Sequence, residues 1–162
     1  KIKIIEGILP FEEIINLYVN SDILLFPGHT YFLMAFLESM YFKLPIVTMD
    51  TYGVKDLVKN GYNGFIVKKS QNIKEYNLKN ESYLTLVRSK EFMNKIKKVD
   101  NKLITRLAKK TEILIKSPRI RQRMGMNGHK LAKTKFSIQA RNKALKKVFD
   151  EALVNFRQKP TQ

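Results

Sequence analysis

The sequence predicts an α/β fold: a parallel sheet in the first part of the chain, then a set of C-terminal helices. Three observations carry this. Short continuous apolar runs recur up to about residue 69, helix-like stretches separate them, and from about residue 101 the pattern is helical throughout. Unbroken apolar runs are what parallel strands show when both faces are covered. Alternating strands and helices favour right-handed crossovers between parallel neighbours.

Taken in order, Lys1 to Ile5 reads as a strand, with a turn at Gly7. Phe11, Ile14, Ile15 and Tyr18 then recur at helical spacing on one face. Asp22 precedes a strand near 23–27, which Pro27 and Gly28 end, and residues 32–41 have the length and apolar content of a helix. A strand near 45–49, a short helix over 54–59 and a strand near 64–67 complete a first unit, residues 1–69. Residues 70–100 are polar, rich in Lys and Asn, and read as an insertion or loop that is partly helical. Residues 101–157 read as basic helices packed on the same domain, with Ile104, Ala108 and Ile115 on one face. Ser117-Pro118 has the form of an N-cap followed by Pro at the first helical position. Ser137 can cap a last helix whose stripe of Leu145, Val148, Phe149, Ala152 and Phe156 is expected to point inward.

Composition narrows the function classes. Of the 162 residues, 44% are hydrophobic, so the chain can bury a core. No apolar run approaches the roughly 20 residues that span a bilayer. There is no cysteine, which excludes disulfides and thiolate metal sites, and no metal-ligand cluster is visible; no metal or cofactor is expected beyond the substrate itself. The chain opens on Lys1 without a signal-peptide pattern, and a cytoplasmic location, peripheral at the membrane, is the expectation. The net charge of +17 is unevenly placed: residues 1–80 hold 9 Lys/Arg against 8 Asp/Glu, residues 81–162 hold 22 against 6. Such a half suits a phosphorylated ligand, an anionic membrane surface or nucleic acid, and Lys-rich solvated helix faces account for it equally. Nucleic acid ranks last, because aromatics are not interleaved on a basic face and no nucleic-acid motif is present.

Residues 21–67 carry a set of motifs: Pro27-Gly28, Phe32, Leu37-Glu38-Ser39-Met40, Leu44-Pro45-Ile46-Val47, Gly53 with Asp56, and Asn63-Gly64. As a set they resemble the donor-binding half of retaining GT-B glycosyltransferases, the glycogen-synthase-like family four. That family has a strand ending in Pro-Ser, a Glu-Gly-Phe-Gly loop, a helix with Leu-Glu-Ala-Met, then Gly-x-Pro-Val-Val and Asn-Gly. The tail from Ser117 to Leu153 is similar to the family's closing helices. The resemblance implies a partial Rossmann-like sheet, a nucleoside-diphosphate sugar as donor, retention of configuration and no metal.

It also implies a site. The second Glu of the family's pair, which binds ribose hydroxyls, falls on Glu38; a carboxylate accepts two hydrogen bonds from a diol. The amides of Thr30, Tyr31, Phe32, Leu33 and Met34 at the helix start suit the diphosphate. Gly28 and His29 sit in the same loop, and Gly7, Ile8 and Leu9 fall where the family contacts the base. Departures are equally plain. Thr30 replaces the first Glu, Tyr31 and Leu33 replace loop glycines, and the basic residues that grip diphosphate in the family belong to an earlier loop with no counterpart here. No catalytic residue is assigned. A non-catalytic sugar-nucleotide-binding or regulatory module therefore stands as an alternative, with a basic nucleic-acid-binding domain behind it. Because the resembled domain has two strands before the one at 2–5, the chain is expected to be a piece of a longer protein whose N-terminal GT-B domain supplies the acceptor. Alone it is expected to be inactive.

Overall fold

The structure, a computed structural model, describes residues 2–29, 33–51, 53–70 and 89–157, the side chains of Asn155 and Arg157 excepted. Among these residues the elements run α1 (Phe11–Val19), β1 (Leu24–Phe26), α2 (Leu33–Tyr41), β2 (Ile46–Met49), α3 (Val54–Leu57) and β3 (Gly64–Val67). Then come α4 (Lys90–Ile96), α5 (Asn101–Lys116), α6 (Pro118–Thr134) and α7 (Ile138–Arg157).

The strands form one parallel sheet in the order β1-β2-β3, with Leu24 opposite Ile46 and Ile46 opposite Gly64. All four residues of β2 are buried, as a central strand covered on both faces requires. Val47 and Met49 face Leu103, Leu107 and Leu114 of α5 and Met124 of α6. Ile46 faces the other way, into Phe36 and Met40 of α2 and Val54 and Leu57 of α3. The period of two along β2 thus supplies both cores from one strand.

Loop chemistry holds this arrangement. Asn63, fully buried, accepts a hydrogen bond from the Lys59 amide at 2.7 Å and donates to the Leu57 carbonyl at 3.0 Å. Gly64 follows because a Cβ there would lie 2.2 Å from the Ile46 carbonyl oxygen. The helix caps form as expected: Ser117 accepts from the Ile120 amide at 3.4 Å with Pro118 beginning α6, and Ser137 accepts from Ala140 at 3.2 Å. Asp100 and Ser89 cap α5 and α4 in the same way.

At the end of α2 the Leu44 amide bonds to the Ser39 carbonyl and the Lys43 amide to that of Met40, the six-to-one and five-to-two pattern of a Schellman cap. Lys43 takes φ 63° there, the position of the glycine in the resembled motif. A side chain in this left-handed conformation costs roughly 1 kcal/mol. Lys43→Gly is therefore expected to raise stability by about 1 kcal/mol, read as a higher denaturant midpoint at unchanged slope.

The structure corrects three expectations. Residues 2–5 form no strand: Ile2 is 94% exposed, because no strand among the described residues offers their backbone a ladder. The buried face of α5 is Leu103, Leu107 and Leu114, whereas Ile104 and Ile115 are 54% and 62% exposed. The two triplets share one spacing, so periodicity alone does not separate faces rotated by about 100°. In α7 the stripe points outward: Leu145, Val148, Phe149 and Phe156 are all exposed, and none of the helix's described side chains is buried. The polar stretch, expected to be partly helical, holds the helix Lys90–Ile96, capped by Ser89 and docked by the buried Phe92, while 71–88 lie outside the described residues.

Candidate functional site

In a parallel sheet the strands deliver their loops to one edge, the carboxyl end, and ligands gather there. Here that edge receives Gly28 and His29 from β1, Asp50 and Thr51 from β2, and Lys68 to Ser70 from β3. The β1 loop leads into α2, whose first turn carries Leu33 and Met34, both exposed. Thr30, Tyr31 and Phe32 lie outside the described residues. Gly53 has φ 79° and begins α3, so it serves the turn, beside an Asp50–Lys55 ion pair of 2.9 Å.

His29 is part-buried, with its ring edge-on to Phe92 at 6.2 Å. Burial pulls its pKa down from the usual value, so the ring is neutral around pH 7. It lines a cavity of about 190 Å³ with Ser70, Lys95, Lys97, Lys98 and Asp100.

Glu38 occupies another place. It lies on α2, five residues beyond Leu33, about 7.5 Å along the helix axis. Its Oε2 accepts a hydrogen bond from the Tyr18 hydroxyl at 2.9 Å. Tyr18 in turn stacks on Phe42, centroids 5.4 Å apart. Both residues line a large apolar groove of about 690 Å³, with Phe11, Ile14 and Ile15 of α1 on one wall and Phe136 on another. The structure therefore brings Glu38 together with the apolar face of α1 and separates it from the cavity that holds His29. Gly7, at φ 88°, and Ile8 stand exposed, with no atom near enough to contact a Cβ at Gly7. Leu9 is part-exposed in the same loop. These three residues line neither cavity.

The Tyr18–Glu38 contact makes a measurable prediction. Burial first, then the hydrogen bond to Glu38 and its charge, push the Tyr18 pKa up to about 12. The native state holds the phenol proton more tightly than the unfolded chain does. Its contribution to stability is therefore complete below the ordinary tyrosine pKa near 10, and is lost as pH rises from there through about 12. Phenolate absorbance should place this tyrosine apart from the others, and Glu38→Gln should return it part of the way. An unshifted titration curve in the variant would show that the two groups do not touch.

Sequence reasoning missed the pairing of Tyr18 with Glu38 and the lysines at and just after the end of α4. Tyr18 reads as one more member of an apolar stripe, and Lys95, Lys97 and Lys98 sit in a stretch with no periodicity to single them out. Only the fold places the first beside α2 and the others beside His29. Among the described residues no group of acidic or histidine side chains is arranged to hold a metal, and no helix is long and apolar enough to cross a membrane.

Comparison with known proteins gives a family. Residues 4–99 match the family described as "Glycosyl transferases group 1". The match contains β1, α2, β2, β3 and α4. The chain is also similar to the capsular polysaccharide biosynthesis glycosyltransferase CapM of Staphylococcus aureus, 29% identical over 126 residues. That alignment covers 77% of this chain and 25% of CapM, so the aligned part spans about a quarter of the relative's length.

Proposed function

The chain belongs to the glycosyl transferases group 1 family, and from that premise we propose that it forms the donor-binding half of a retaining GT-B glycosyltransferase. The substrate is a nucleoside-diphosphate sugar. The sugar passes from the diphosphate oxygen to a hydroxyl of an acceptor, which a further half of the protein outside residues 1–162 binds; the nucleoside diphosphate leaves. The observation that carries this reading is the family match over 4–99, because it falls on the parallel sheet and on the crossover that holds Glu38.

In this account Glu38 receives the ribose hydroxyls. One of its oxygens accepts from Tyr18, and the other accepts no hydrogen bond among the described residues. The diol joins or replaces the tyrosine. Leu33 and Met34 present the first turn of α2 to the diphosphate, whose charge the helix dipole favours. Glu38→Gln in the intact protein is expected to weaken donor binding about tenfold to a hundredfold, the loss of charge-assisted hydrogen bonds. Calorimetry with a panel of nucleoside-diphosphate sugars checks it, and unchanged affinity removes Glu38 from the site. Thr30, in place of the family's first carboxylate, favours a second reading in which the module binds donor without turning it over. Turnover by the intact protein distinguishes the two.

A further inference from the structure

We propose that Tyr18 is a positioning residue for Glu38: its hydroxyl holds the carboxylate in an orientation that leaves room for both hydroxyls of a ribose. The inference rests on the donor-binding reading for the identity of the ligand. It goes beyond that reading by giving α1 a task in the site.

The geometry starts from α2. Glu38 and Phe42 are four residues apart, and the Phe42 amide bonds to the Glu38 carbonyl at 2.9 Å, so their side chains share a face. Tyr18 spans the pair. Its ring lies flat on Phe42, the planes 3° apart and the centroids at 5.4 Å, while its hydroxyl donates to Glu38 Oε2 at 2.9 Å. The stack fixes where the hydroxyl stands, and the hydroxyl fixes where the carboxylate stands. Phe42 is itself braced edge-on by Tyr41, at 5.4 Å and 88°. No residue of α1 is buried, so filling the core does not account for Tyr18.

Hydrogen-bond capacity supports the same assignment. A carboxylate offers about four lone-pair positions, and the tyrosine takes one. A diol needs two, so it joins the tyrosine and does not displace it. The phenol also stays a donor: burial, then the bond to Glu38, push its pKa up to about 12, far above the neutral range. The groove around the pair is lined by Ile14, Ile15 and Leu37, and a hydrogen bond in apolar surroundings is stronger than in water. A glutamate free to rotate must give up that freedom when the ligand arrives, whereas one already anchored binds without that loss.

The test is calorimetric titration of the intact protein with the diphosphates of adenosine, guanosine, cytidine and uridine, each beside an analogue whose sugar lacks both ribose hydroxyls. Tyr18→Phe keeps the ring and its stack and removes the hydroxyl. It is expected to weaken the ribonucleotide that binds best by about threefold to tenfold. The analogue of that nucleotide makes no use of Glu38, so its affinity is expected to stay unchanged. A general loss of structure would lower both affinities alike, and the ratio of the two therefore reads positioning. In the Glu38→Gln background the same substitution is expected to add little, because it acts through the carboxylate. The inference is overturned by an equal loss for both ligands, by no loss, by a gain in affinity, or by effects of the two substitutions that simply add. In each of those cases the donor-binding reading still stands on the effect of Glu38→Gln alone. If Glu38→Gln weakens no ribonucleotide, or none of the four binds, that reading fails and the inference fails with it.

Discussion

Gly125→Ala is expected to destabilise the protein by about 3 kcal/mol or more, at the upper end for an overpacked contact. Gly125 lies in α6 where that helix crosses the end of α2, and a Cβ there would stand 2.0 Å from the Lys43 carbonyl oxygen. The obstacle is backbone, which no rotamer change moves aside, so the helices must part. Parting them would open the core formed by Met40 and Phe36. The sign makes the prediction sharp. In a helix with room to spare, Gly to Ala stabilises by up to about 1 kcal/mol. For a domain of this size a 3 kcal/mol loss lowers the melting temperature by roughly 6–12 °C. Gly128→Ala, one turn on, meets Met40 Cγ at 3.4 Å, the limit of an ordinary contact with a flexible side chain, and is expected to be near neutral. Thermal melts of the two variants side by side check the crossing; a stabilised Gly125→Ala protein would refute it.

Asn63→Ala is expected to cost about 2–4 kcal/mol. The side chain completes a turn that backbone groups alone leave open: the Lys59 amide and the Leu57 carbonyl both depend on it, at 2.7 Å and 3.0 Å. Removing it leaves a buried carbonyl without its donor, and buried unpaired polar groups are expensive. Asn63→Asp keeps the acceptor for Lys59 but loses the donor to Leu57 and buries a charge, so it is expected to be no milder. Chemical denaturation reads both. A change below about 0.5 kcal/mol for Asn63→Ala would mean that the turn is held by something else.

Much of the fold was legible because local pattern and burial coincide. The largely apolar runs at 24–26, 46–49 and 64–67 are strands, and the central one is buried throughout, although Leu25 of β1 stands 46% exposed. Ser117-Pro118 and Ser137 start helices because capping is a local event. What was not legible depends on partners. Residues 2–5 have the alternation of a strand, but a strand is a property of a pair, and no neighbour stands beside them among the described residues. In α5, Leu103 and Ile104 are equally apolar and equally spaced from their fellows; only the position of the sheet decides which face is buried. In α7 the stripe says that the helix is amphipathic and is silent on what covers it.

The site divides the same way. Glu38 and the loop after β1 are recognisable as a motif, because the helix start, the carboxylate and the strand end occupy one short stretch. Tyr18 and Lys97 are not, since each reaches its place only through tertiary packing: Tyr18 through the α1–α2 contact, Lys97 through Phe92 docking on His29. The Asn63-Gly64 pair belongs to the motif too, yet the structure gives it a structural task, turn closure and close approach to Ile46.

Donor binding at the carboxyl edge of the sheet is the central claim, and hydrogen exchange of the intact protein with saturating nucleoside-diphosphate sugar tests it most directly. Protection is expected at Gly28, His29 and residues 33–38, with little change in α7. Protection confined to the basic helices α5, α6 and α7, or none anywhere across residues 1–162 at saturation, would contradict it.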